Sequence, residues 1–216
     1  MTLPPGGAER PSIMDRLFHF GGELAYVITL SAAWVVASLP IVTIPAATAA
    51  VYGTIGAHVV DGDRRYVQPF KSAFVGGFKK VTVFGLLLIV LLGAAAFNAY
   101  YYFNAGERTV LATVLGVVQI ALAAVVVVVL GFFFMLVGLH YARGYVGPAP
   151  TLKETSLVAF RHPLGAVMVL VVSVGLPLAV GFAQLWQFII FTIGAVCYAN
   201  VWLLMRIGLP ELQPAG

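Results

Sequence analysis

From Val110 to Leu139 not one side chain carries a charge, and the same is true from Val81 to Asn104. Each run is longer than the roughly 20 apolar residues that take a helix across a bilayer. Lipid offers the backbone no hydrogen-bond partner, so only helices and closed barrels cross it. Barrel strands alternate apolar and polar residues, and "LAAVVVVVLGFFFMLVGL" has no such alternation. The chain therefore reads as all-α, a multi-pass helical membrane protein. Composition agrees: only 9% of its 216 residues are charged, against about 25% in an average soluble domain.

Five spans stand out: Leu24–Leu39, Val83–Phe103, Val110–Leu139, Leu164–Phe182 and Leu185–Met205. A sixth depends on "LPIVTIPAATAAVYG", where two prolines sit in a continuous apolar run. Pro40 stops a helix, because it lacks an N–H and disfavours helical geometry in the residue before it. Thr43 suits an N-cap, and Pro45 then falls in the first turn, where its missing N–H costs nothing. Pro40, Thr43, Pro45 and Thr48 thus form a turn motif between one helix ending near Leu39 and another running from Ile44 to Val60. Ala46, Ala49, Ala50, Gly53, Gly56 and Ala57 give that helix a small-residue face, which predicts packing against protein and not lipid.

Charge sets the topology. Arg64, Arg65, Lys71, Lys79 and Lys80 lie in one connection, and Arg143, Lys153 and Arg161 in another. Arg108 alone marks the connection near Asn104–Thr109, and Ala183–Gln184 has no charge. With six spans, Arg10, Arg16 and Arg206 fall on the same side as the rich connections, so both termini are expected in the cytoplasm. The small residues of "AATAA" imitate a signal-peptide cleavage site. Cleavage there would leave the basic 61–80 segment outside, so the run is read as retained. The expected organisation is a single integral membrane domain, 1–216. Its parts are a cytoplasmic segment 1–23, hairpins 24–60, 83–141 and 164–206, basic amphipathic elbows 61–82 and 142–163, and a tail 207–216.

An offset of 82 residues lays "FKSAFVGGFKKVTVFGLLLIV" over "LKETSLVAFRHPLGAVMVLVV", with Lys71 on Lys153, Phe78 on Phe160 and Lys79 on Arg161. The copies have the same orientation, which would make a parallel repeat. Phe70, Phe74 and Phe78 recur every fourth residue, one stripe of an amphipathic helix. Phe70, Lys71, Phe74, Phe78, Lys79, Lys153, Phe160 and Arg161 are the candidates for docking a partner or lipid headgroups at the interface.

"AAWVVASLPIVTIPAATAAVYG" followed by "PFKSAFVGGFKK" resembles the YesL-like family of small bacterial membrane proteins, domain-of-unknown-function family 624. The resemblance is carried by Trp34, Leu39, Pro40, Val42, Thr43, Ile44, Ala47, Thr48, Ala49, Ala50, Tyr52, Phe74, Phe78 and Lys79, and it covers roughly the first 80 residues. Two departures are specific. The family's Gly-Pro after Ile is Pro45-Ala46 here, and the Asn before its final Phe-Lys is Gly77. The resemblance implies a bacterial plasma-membrane protein and an accessory role in sugar uptake beside ABC transporter subunits.

Sequence motifs that would argue for catalysis or a cofactor do not occur: no P-loop, no H-E-x-x-H and no G-x-S-x-G. His19, His58, His140 and His162 lie near span boundaries and read as interfacial. Cys197 reads as a core thiol. Asn98, Gln119, Gln187 and Asn200 read as interhelical hydrogen-bonding groups. Tyr100, Tyr101, Tyr102 and Trp186 suit an aromatic belt. The net charge of +4 follows from topology and implies no nucleic-acid partner. The expected role is non-catalytic, with no cofactor or metal and with membrane lipids as constant neighbours. A stand-alone permease or channel acting as a homo-oligomer stays open as the alternative.

Overall fold

The computed structural model describes residues 13–104, 109–145, 149–182 and 189–207, all but short turns of it helical. Arg10, Arg108, Trp186, the Ala183–Gln184 connection and the tail lie outside the described residues. The helices are α1 (Ile13–Ala37), α2 (Ile44–Asp61), α3 (Val67–Asn104), α4 (Val110–Ala142), α5 (Leu152–Arg161), α6 (Pro163–Phe182) and α7 (Ile189–Ile207). Five of these are long and apolar enough to cross a membrane, and α7 adds a shorter apolar stretch, Phe191–Arg206.

The proline-marked stretch is a turn, as its residues require. Pro40 is extended, and Ile41–Thr43 form one turn of 3-10 helix that leads into α2 with Pro45 in its first turn. Thr43 differs from expectation. It stands at the N-cap position but makes no side-chain cap; its hydroxyl turns back and donates to the carbonyls of Ala37 (2.5 Å) and Pro40 (2.6 Å). Helical backbone angles at Thr43 aim the hydroxyl away from the α2 amides, so it serves the Ala37 carbonyl at the end of α1 and the Pro40 carbonyl, which also accepts from the Thr43 amide. The hairpin is closed from inside: the Trp34 indole donates to Thr48 Oγ1 (3.0 Å), which donates to the Ile44 carbonyl (2.8 Å).

α2 is the centre of the bundle. Every residue from Pro45 to Ala57 is buried, and the helix packs on α3, α4 and α7. Its small face allows this. A Cβ on Gly53 would stand 2.3 Å from the Gly138 carbonyl oxygen, and one on Gly138 2.0 Å from that of Ala49. On α3, a Cβ on Gly85 would stand 2.4 Å from the Pro45 side chain. Helices that touch backbone to backbone gain dispersion contacts that lipid tails do not replace. α1 and α6 are the peripheral helices, each with 11% of its span buried.

α3 corrects the expected elbow over 61–82. Its 38 residues run unbroken from Val67, about 57 Å at 1.5 Å per residue, against about 30 Å of hydrocarbon. The basic stripe is thus the protruding end of a span, not a separate helix lying in the interface. The helix continues through Gly76 and Gly77, and the Tyr141 ring packs over both. The second elbow is separate: α5 starts at a capping box between Thr151 and Glu154. It ends at His162, whose non-helical angles (φ −118°, ψ 70°) meet the steric demand of Pro163.

The 82-residue repeat continues upstream in structure. Gly62 and Gly144 both take φ 70° just past the ends of α2 and α4, preceded by Gly56-x-His58 and Gly138-x-His140. Downstream, Ala73 and Thr155 are buried alike, as are Gly77 and Ala159, while Lys71, Lys153, Phe78, Phe160, Lys79 and Arg161 are all exposed.

Candidate functional site

Lys80 marks where α3 leaves the apolar run. Its ammonium donates to the carbonyls of Ala149 (2.6 Å) and Pro150 (2.8 Å), tying α3 to the start of α5. The docking candidates lie on this same end of the bundle. Phe70 is half-buried against the core and stacks on Phe74, which meets Phe78 edge-on at 5.7 Å. The stripe therefore passes from half-buried Phe70 and Phe74 to exposed Phe78 along the helix. Lys71 and Lys79 flank it in the open, with Val75 65% exposed between them. On α5, Lys153 and Arg161 are exposed, with Leu157 and the 69% exposed Phe160 between. The two strips present the same sequence of cation, aliphatic, phenyl and cation. α4 packs against both helices.

Polar contacts missed by sequence reasoning hold this end together. Arg143 forms a two-pronged pair with Asp61, both bonds 2.8 Å, joining the ends of α2 and α4. Arg65 hydrogen bonds hold the Asp63 carboxyl below its ordinary value, and the backbone amide of Thr151 does the same for Glu154. Glu23 links three helices. Its carboxylate meets His58 Nε2 at 3.0 and 3.2 Å and accepts from the Tyr198 hydroxyl at 3.1 Å. Tyr26 stacks on the imidazole at 4.3 Å. His58 Nδ1 faces the Asp63 carbonyl at 3.3 Å. His58 is thus a tie between α1 and α2, not only an interfacial residue. The available signal was topological: an acid at the start of one span and a histidine at the end of the next lie at the same depth.

No group of three or more His, Cys, Asp or Glu side chains arranged to hold a metal occurs among the described residues. Cys197 is free and fully buried. Asn200 makes the interhelical hydrogen bonds expected of it, to Tyr52 (2.8 Å) and Ser173 (3.1 Å).

Long apolar helices packed through small residues define a multi-pass helical membrane protein. Residues 27–99 match the model of a family described as a protein of unknown function, DUF624, the family to which the YesL-like proteins belong. The match takes in the second part of α1 from Val27, all of α2, and α3 as far as Ala99. Neither the curated proteins nor the solved structures contain a match.

Proposed function

We propose that this chain is a non-catalytic accessory component of a carbohydrate ABC uptake system in the bacterial plasma membrane. Its termini and basic strips face the cytoplasm. The observation that carries the reading is the pair of exposed strips on α3 and α5, alike in residue order and in exposure. A lone anchoring helix needs its apolar residues in lipid. Here the α3 strip begins about 20 Å before the span proper, on a helix long enough to carry it clear of the hydrocarbon. Sugar uptake comes from the family resemblance alone.

The test is purification from native membranes in nanodiscs, with co-purifying proteins quantified. A stoichiometric ABC importer subunit is expected, and Lys71→Glu, Lys79→Glu and Arg161→Glu together should release it while leaving membrane insertion intact. A homo-oligomer with no partner, together with solute flux in liposomes holding this protein alone, would replace the accessory reading with the permease.

A further inference from the structure

On the side of the bundle that carries the α1–α2 turn, a crevice of about 350 Å³ opens between α1, α2, α3, α4, α6 and α7. That volume is at the small end of ligand pockets, which run from roughly 300 to 1,000 Å³. No side chain lining it is charged. Its polar points are hydroxyls, chiefly those of Tyr52 and Ser173, set in a wall of residues such as Leu130, Phe134 and Ile193.

Asn200 stands behind these hydroxyls, 1% exposed, and donates to both of their oxygens. Its own Oδ1 has no hydrogen-bond partner. Pro177, one turn after Ser173 in α6, has no N–H to give to the Ser173 carbonyl. The Ser173 carbonyl on the lining therefore lacks its usual helical donor, and the Asn200 Oδ1 behind it is unpaired. An unpaired buried acceptor is expensive, so a guest bringing an O–H group is retained. A guest bringing a full charge finds no counter-charge and is rejected. The apolar wall requires the remainder of the guest to be hydrocarbon.

We propose that this crevice binds a small neutral amphiphile, with its hydroxyl at Tyr52 and Ser173 and its hydrocarbon along Leu130, Phe134 and Ile193. Such a molecule partitions into the bilayer and enters from there between the peripheral helices α1 and α6. The site is independent of the basic strips and stands whether or not they dock a partner.

The test is photolabelling of the full chain in nanodiscs with a diazirine-bearing octanol, the labelled residues being located by mass spectrometry. Labelling should concentrate on α2, α4 and α7 around the crevice. Octanol should compete at least fivefold better than octane, octanoate or octylamine. The double variant Tyr52→Phe, Ser173→Ala should lose labelling about fivefold. If that variant does not fold, Ile193→Phe narrows the crevice without touching these hydrogen bonds, and the same loss is expected. Labelling spread over exposed positions such as Val36 and Val171, or competition by octane equal to that by octanol, would overturn the proposal. So would full labelling of the variants.

Discussion

Gly53→Ala tests whether backbone contact at α2 holds this bundle together. The added Cβ would lie 2.3 Å from the Gly138 carbonyl oxygen and 2.5 Å from its carbon, where ordinary contact begins at 3.4 Å. No flexible side chain is available to give way, because the obstructing atoms are backbone. α2 and α4 must therefore part by about 1 Å at their crossing. Overpacking a core costs about 1–3 kcal/mol when side chains can adjust. Here the shift also loosens fully buried neighbours such as Val51, Ile55, Phe133 and Val137, so a loss of about 3 kcal/mol is expected, roughly a hundredfold in the unfolding equilibrium. The control is Gly93→Ala on α3, where a Cβ meets nothing within 4 Å; helix propensity makes that change neutral or favourable by up to about 1 kcal/mol. Both variants would be unfolded in mixed micelles of mild detergent and SDS and followed by tryptophan fluorescence. A Gly53→Ala stability within about 0.5 kcal/mol of the Gly93→Ala control would refute the argument, since backbones in contact cannot admit a methyl group freely.

Three further outcomes are expected. In a double-mutant cycle, Glu23→Gln with His58→Gln should show a coupling of about 1–2 kcal/mol, as a half-buried charge-assisted contact does; additive losses would mean that the two residues act separately. Trp34→Phe removes the hydrogen bond to Thr48 but leaves Thr48 bonded to Ile44, so the expected loss is about 0.5–1 kcal/mol; a Thr48→Val background should abolish most of it. Glu154 has its carboxyl depressed by the Thr151 amide. The stabilisation it gives α5 is therefore full above the ordinary value of 4.5 and fades as pH falls through the lower folded value. Amide exchange at the start of α5 should speed up only in acid, and Glu154→Gln should remove that pH dependence.

Membrane class, the spans and the Pro40–Pro45 turn were legible because each rests on a local cause: an apolar run longer than a bilayer, or a residue without an N–H. The same holds for the start of α6 at Pro163. The small face of α2 predicted its burial, since only a partner helix rewards so many missing side chains. Phe70, Lys71, Phe74, Phe78 and Lys79 were read as part of an elbow ahead of the span, and they form the first turns of the span's own helix. Their division into half-buried Phe70 and exposed Phe78 was not legible, because it depends on where α4 crosses.

What the sequence determined by itself was how this chain meets lipid: which segments enter it, where they turn, and on which face the cations gather. These follow from short-range sterics and from transfer out of water, which act on one segment at a time. Tertiary structure alone decided that Tyr141 comes from another helix to pack over Gly76 and Gly77 of α3. It also decided that Glu23 finds both His58 and Tyr198, residues 35 and 175 positions away. Asn200 comes to stand behind Tyr52 in the same manner, across 148 positions. Such pairings have no local cause. Each forms only when whole helices have settled at the distance their smallest residues allow.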